Sequence, residues 1–492
     1  MNILLVYPQF PDTFWSFKHA LKFVHKKASS PPLGLLTVAA MLPQTWEKRL
    51  VDMNVQNLAE KDLAWADMIL VSAMTVQRES TLNLIARARA AGKTIVAGGP
   101  LFTAEPEAFP EVDHLILNEA EITLPLFLSD LGRGKPQRIY KTDEYADMTQ
   151  TPVPLWELIN LKHYDSLSLQ FTRGCPFNCD FCNVTALLGH RMRMKTTRQL
   201  IDELDKIYDL GWRRGIFIVD DNFIGNKRVL KEEVLPAMIE WRKGKKGCRF
   251  VTEASVNLSD DDKLIDLMVR AGFTQVFVGI ETPDDLSLAE CSKTQNRNRD
   301  LVSSVKKLQQ SGLQVMGGFI VGFDSDDETI FQRMIDFIQE SGIVTAMVGL
   351  LQAPVGTQLY QRMLREGRIR NAYSGDNVDG ETNIIPKMDA QILKDGYRKI
   401  LDSIYSAKGF YERVRTFLKD YTPARHAVTL QWEEIAALIS SIFEIGIKSK
   451  ERKHYWKLFF WTLFHFPKKF PLAITFTIYG YHFRKVNELH VT

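Results

Sequence analysis

Cysteine is scarce in this chain, five residues among 492, and the number is odd. That argues against a secreted disulfide framework, and a chain this long has enough interior to do without staples. Long apolar runs are missing too. No eighteen consecutive uncharged apolar residues occur, so no membrane-spanning helix is expected. Charge of one sign does not dominate: 62 Lys and Arg stand against 59 Asp and Glu, which disfavours a generally cationic nucleic-acid binder. The opening MNILLVYPQF has neither a basic leader nor a small-residue cleavage site. A reducing cytoplasm is the expected location.

What is present is alternation. From Met1 to about Tyr145, the runs Ile3–Tyr7, Arg49–Met53, Met68–Ser72, Thr94–Ala97 and His114–Leu117 read as strands separated by amphipathic helices. This pattern predicts a doubly wound, flavodoxin- or Rossmann-like parallel sheet over residues 1–145. Ligands bind such sheets beyond the carboxyl ends of the strands, where Ser72, Gly98, Gly99, Pro100, Asn118 and Glu119 fall. Ordinary loop residues would look the same. A Pro-containing linker, residues 146–165, leads to a second βα series over 166–366. Its strands are predicted at Ser166–Phe171, Ile216–Val219, Phe250–Ala254, Gln275–Gly279, Gln314–Val321 and Val344–Leu351. Six strands with crossover helices fit a partial (β/α)6 barrel or another open sheet. Residues 367–492 read as a helical extension.

Three of the five cysteines fall within eight residues, in Gln170-Phe-Thr-Arg-Gly-Cys175-Pro-Phe-Asn-Cys179-Asp-Phe-Cys182. These spacings put three thiols on one bend just after a strand, a donor set suited to a soft metal. A structural zinc ion would want a fourth ligand, and this loop holds no histidine. A four-iron cluster on three thiolates keeps one iron open for a ligand, as catalysis needs and simple electron transfer does not. Cys248 and Cys291 read as ordinary thiols.

Cys-x3-Cys-x2-Cys with Phe181 before the last cysteine resembles the signature of the radical S-adenosylmethionine (SAM) superfamily. Further along, Val219-Asp-Asp-Asn-Phe223, Glu253 and Ser255, Val278-Gly-Ile-Glu-Thr282, Gly317-Gly-Phe-Ile-Val321 and Pro354-Val-Gly-Thr357 stand where these enzymes hold SAM. The resemblance implies a [4Fe-4S] cluster on Cys175, Cys179 and Cys182. It also implies SAM contacts at Phe181, Asp220, Asp221, Glu253 and Ser255, with Gly279, Glu281, Gly318 and Ile320 around the ribose and adenine. A doubly wound domain before this core, with Pro31-Pro-Leu-Gly-Leu-Leu36 and Ala97-Gly-Gly-Pro100, is similar to the cobalamin-binding branch, closest to hopanoid C-2 methylase-like enzymes. The chain departs from that branch in one place. The loop Tyr7–Trp15 lacks the Asp-x-His-x-x-Gly motif, so cobalamin would be bound without a histidine below cobalt.

That resemblance implies methyl transfer to an unactivated carbon of a hydrophobic, hopanoid-like substrate, with electrons from a flavodoxin or ferredoxin. A radical cyclase, a bacteriochlorophyll side-chain methylase and a non-catalytic cobalamin or cluster sensor are the alternatives. The strand ends of the two sheets are expected to face each other, with Ser72 and Gly98 across a shared cavity from Cys179. Finally, residues 448–485 carry nine Lys or Arg against one acid, Glu451, with aromatics throughout. They read either as a helical cap on the barrel or as a membrane-surface patch, which would station the protein at the inner face of the membrane.

Overall fold

The computed structural model describes residues 1–376, 378–423 and 432–490. Two parallel sheets organise the chain. The first contains β1 (Asn2–Tyr7), β2 (Glu47–Asp52), β3 (Met68–Ser72), β4 (Thr94–Gly98), β5 (His114–Ile116) and β6 (Ile139–Tyr140), in the order β2-β1-β3-β4-β5-β6. This is the flavodoxin-like doubly wound order, whose direction reverses between β1 and β3. The central strands are apolar almost throughout because helices cover both faces. Ile3 and Leu5 enter one core, while Leu4 and Val6 enter the other.

The second sheet contains β7 (Ser166–Leu169), β10 (Gly215–Ile218), β11 (Arg249–Glu253), β12 (Phe273–Glu281), β13 (Gln314–Val321) and β14 (Ala346–Leu350). They pair in sequence order, all parallel, as expected of a partial (β/α)6 barrel. Helices such as Thr197–Asp209, Asp262–Ala271, Leu301–Gln310 and Ile330–Ser341 cover its outside. The sequence pattern missed β6 and a short antiparallel ribbon, β8 (Thr172–Arg173) with β9 (Arg193–Met194). Two-residue strands have too few residues to show a period.

The C-terminal helices close the structure. Helices Ala390–Tyr405 and Ala407–Asp420 pack on the barrel, where the Tyr405 hydroxyl donates to Ala346 O at 2.6 Å. Helix Phe470–His490 lies against the loop after β1: Phe483 stacks on Phe14 at 4.3 Å, and the His482 ring hydrogen-bonds to Phe14 O. The aromatics Phe476, Phe483 and Tyr455 are buried. In that part of the tail, a helical cap is what the structure shows.

Candidate active site

The cysteine loop leaves β7, runs through β8 and returns through β9, so a two-residue ribbon ties its ends. Gly174 has φ +93°, and a Cβ there would press on Arg191 O and Gly189 O. Asp220, at the end of β10, anchors the entry. Its buried carboxylate accepts from Phe171 N, Thr172 N and Thr172 Oγ1 at 2.8–2.9 Å. The far side of the loop is held as well. Asp180 N donates to Cys291 O, Leu359 N donates to Asp180 O, and Arg362 pairs with Asp180 at 3.3 Å. Phe181 meets Phe323 edge-on and joins an apolar cluster with Ile320, Cys291 and Leu351.

Burial pushes the thiols of Cys175 and Cys179 up, and that of Cys182 up to about 12. They need a bound cation to become thiolates, as metal ligands do. Among the described residues, no group of three His, Cys, Asp or Glu side chains closes on a single point that could hold one metal ion. A cubane cluster takes each thiolate on a different iron, and three cysteines on one loop can supply those thiolates.

Beside this loop the strand ends gather acidic groups. Burial pushes Asp221 up to about 6, and burial with the charges of Asp221 and Asp220 pushes Glu253 up to about 8. Such crowding of carboxylates suits a cationic ligand. Ser255 Oγ donates to Asn257 at 2.8 Å, while Asn222 Oδ1 accepts from Ser255 N and leaves its buried Nδ2 without a protein partner. These residues, with Pro176, Phe177 and Lys227, line a cavity of about 290 Å³ between the loop and the ends of β10 and β11. Glu281, at φ +64°, receives Lys293 Nζ at 2.5 Å. Burial opposes the charge on Lys293, but Glu281 and the nearby thiols hold its pKa above the usual value. At Gly279 the missing Cβ leaves room for both partners of that pair. At Gly318 the missing Cβ makes room for the Phe277 ring. Trp15, from the loop after β1, meets Phe277 edge-on, and its indole N–H donates to Met347 Sδ on β14.

The carboxyl ends of the first sheet turn toward the cysteine loop. Glu119, at the start of helix Ala120–Gly132, accepts from Arg173 and Arg193 at 2.7 Å each. Glu121 takes Arg173 at 2.8 Å and the Thr151 hydroxyl at 2.8 Å. All four charged side chains are at most 13% exposed. The strands β8 and β9, with their two arginines, therefore bind both the cysteine loop and the first domain. The sequence pointed to Glu119 as a cobalamin contact; the structure gives its Oε2 to two arginines, and its buried Oε1 has no protein partner. Gly99, at φ +92°, lets Ser72 Oγ and Ala73 O approach where a Cβ would sit, and Gly98 does the same for Ile116 O. Pro100 opens the short helix that follows, and Asn118 sits exposed at φ +62°.

Residues 169–338 match the Radical SAM superfamily, and residues 25–128 match the B12 binding domain. Residues 357–492 match a domain of unknown function, DUF4070. An uncharacterized methyltransferase of Synechocystis sp., sll1242, is 41% identical over 99% of this chain and 92% of its own. The hopanoid C-2 methylase of Rhodopseudomonas palustris is 32% identical over 93% of this chain and 88% of its own. The chain belongs to the cobalamin-binding radical SAM methyltransferase family. Its fold is also that of TsrM from Kitasatospora setae with cobalamin and a [4Fe-4S] cluster bound, with a TM-score of 0.60 at 14% identity over 99% of both chains.

A radical SAM methyltransferase of this family works with a [4Fe-4S] cluster, SAM and cobalamin. Sequence reasoning missed four residues that lie close to the cysteine loop or to the strand ends of the first sheet. Arg173 and Arg193 were hidden because nothing local marks an arginine as an interdomain ligand. Gly375 presses on Thr75 and Val76 just after β3, and a Cβ there would meet them at 2.8 Å. Tyr373, two residues earlier, is half-buried, and its pKa is pushed up to about 12 by desolvation and by the charges of Asp379, Asp376 and Cys182.

Proposed function

We propose that this enzyme methylates an unactivated carbon of an apolar polycyclic substrate, with a hopanoid or related triterpenoid as the leading class. The observation that carries this reading is the buried Glu119/Glu121–Arg173/Arg193 network. It clamps the carboxyl edge of the first sheet to the loop of Cys175, Cys179 and Cys182. Two cofactor faces held against one space suit a reaction in which hydrogen removal and methyl delivery occur at one carbon. The substrate class leans on the similarity to the hopanoid C-2 methylase and on apolar walls at Trp15, Phe277, Met347 and Ile320.

In this mechanism the protein positions and shields. When bound, the cluster, SAM and cobalamin supply a radical that removes hydrogen and a methyl group that replaces it. Cys175, Cys179 and Cys182 would hold the cluster. Asp221, Glu253 and Ser255 would face the cationic groups of SAM, while Gly279, Glu281, Gly318 and Ile320 would surround its nucleoside. Asp220 and Phe181 act by shaping the loop. Ser72, Gly98, Gly99, Pro100, Asn118 and Glu119 would line the cobalamin face. A flavodoxin or ferredoxin would supply electrons. A cytoplasmic station at the inner membrane face would bring the enzyme to an apolar substrate; no helix among the described residues is long and apolar enough to cross a membrane.

Anaerobic reconstitution with iron, sulfide and cobalamin, followed by turnover on hopanoid and bacteriochlorophyllide substrates, tests the reading. A methylated hopanoid with matching 5′-deoxyadenosine and S-adenosylhomocysteine supports it. 5′-Deoxyadenosine without S-adenosylhomocysteine would replace it with a radical cyclisation, and methylation of the tetrapyrrole alone would overturn the substrate class.

A further inference from the structure

Among the described residues, the helical region that begins at Trp432 leaves an apolar face uncovered. Trp432, Ile435, Ile439, Phe443 and Ile447 recur every three or four residues through helix Trp432–Ser441 and its wider continuation Ile442–Lys448. Such spacing aligns them on one side. That side faces outward: Trp432 is 80% exposed, Ile439 51%, Phe443 55% and Ile447 52%. The opposite side, Ala437, Ser441 and Ile445, is buried. The next helix, Arg452–His465, extends the patch. Trp456 donates its indole N–H to Gly446 O and stacks on Phe460, which stacks in turn near Phe464, itself 76% exposed. Two helices thus present one continuous apolar strip where a soluble surface would be polar.

Charge tells what fits against it. Around the strip stand Lys450, Arg452, Lys453, Lys457 and Lys468, all exposed. The acids of this region are turned to other uses. Glu451 is buried against Arg484, Glu433 lies within salt-bridge reach of Lys26 and Arg214, and Glu444 pairs with Lys448. We infer that the face formed by residues 432–464 docks on an anionic lipid surface, with its apolar stripe entering the acyl boundary and the lysines meeting headgroup phosphates. The docking face is therefore earlier in the chain than the basic, aromatic stretch 448–485 suggested, because the aromatics after Phe470 are largely committed to the core. This inference takes its purpose from the apolar substrate proposed above, while its geometry is independent of that substrate.

Vesicle flotation of the full chain, reconstituted with cluster and cobalamin, tests it. Vesicles of phosphatidylcholine alone are compared with vesicles that also contain phosphatidylglycerol. Wild-type protein should float with the anionic vesicles and detach as salt is raised. The pair Ile439→Ser and Phe443→Ser should weaken binding by tenfold or more. Each of Lys450→Gln, Lys453→Gln and Lys457→Gln should weaken it by about fivefold at low salt. SAM cleavage with a chemical reductant should be unchanged in all of them, which shows that they fold. Equal flotation of wild type and the serine pair would overturn the inference. So would a dimer that the serine pair abolishes in the absence of any lipid binding, which would assign the strip to a second copy of the chain. Flotation is read without turnover, so failure of the substrate reading leaves this result standing.

Discussion

Replacing Glu119 by Gln removes one negative charge from a site that holds two guanidinium groups and two carboxylates. Both Arg173 and Arg193 lie 2.7 Å from the same Glu119 oxygen, and Glu121 can satisfy only Arg173. The variant leaves Arg193 with hydrogen bonds to Ala146 O and Leu188 O and with no carboxylate partner in this network. Removing one partner of a buried pair costs about 3–5 kcal/mol. The network bridges two domains, so the loss should appear first as opening of the β8–β9 ribbon and not as global unfolding. At about 3 kcal/mol, amide exchange in the peptides spanning Thr172–Lys195 should quicken on the order of a hundredfold. Strands β12 and β13 should be unaffected. Iron content after reconstitution should fall, because the same ribbon ties the ends of the cysteine loop. Acid should mimic the variant. Burial raises the Glu121 pKa, but the hydrogen bond and charge of Arg173, with the Thr151 hydroxyl, outweigh it and hold the carboxyl below its usual range. A depressed carboxylate pKa contributes stability above the unfolded value near 4.5 and loses it as pH falls through the folded value. Unchanged exchange in the ribbon of Glu119→Gln, at any pH from 4 to 7 on the usual carboxylate scale, would refute the clamp.

Two further outcomes separate roles within the barrel. Cys179→Ala should abolish iron loading, whereas Cys291→Ala, whose thiol lies in an apolar cluster behind the loop, should keep full iron content; equal loss in both would make Cys291 a ligand. Glu253, pushed up to about 8, is mostly protonated at neutral pH in the free protein. A raised carboxyl contributes stability at low pH that disappears as pH climbs past the unfolded value toward 8. Binding of cationic SAM near it should therefore release a proton near pH 7, seen as a buffer-dependent heat in calorimetry, and heats identical across buffers would remove Glu253 from the SAM site.

Much of the architecture could be read from local pattern. The five longer strands of the first sheet and the six of the second are short apolar runs bounded by turns, and such runs are visible without knowing their neighbours. The cysteine spacing is likewise local: three residues, then two, after a strand, with Gly174 to turn the chain. The acidic strand ends could be named from the same resemblance, although the structure gives Asp220 to the loop backbone and Glu119 to arginines.

What sequence alone determined was therefore the raw material of a site: three thiols on one bend, a series of parallel strands with polar ends, and a second such sheet ahead of them. Those features depend on residues close together in the chain. Tertiary structure decided how the first sheet is tied to the cysteine loop and which tail residues remain outside. Arg193 and Glu119 are 74 residues apart, and Phe14 and Phe483 are paired across almost the whole chain. Basic, aromatic composition reads the same whether its rings are buried or exposed. Only packing, which buries Phe476 and leaves Phe443 in water, separates a core helix from a surface that can meet a membrane.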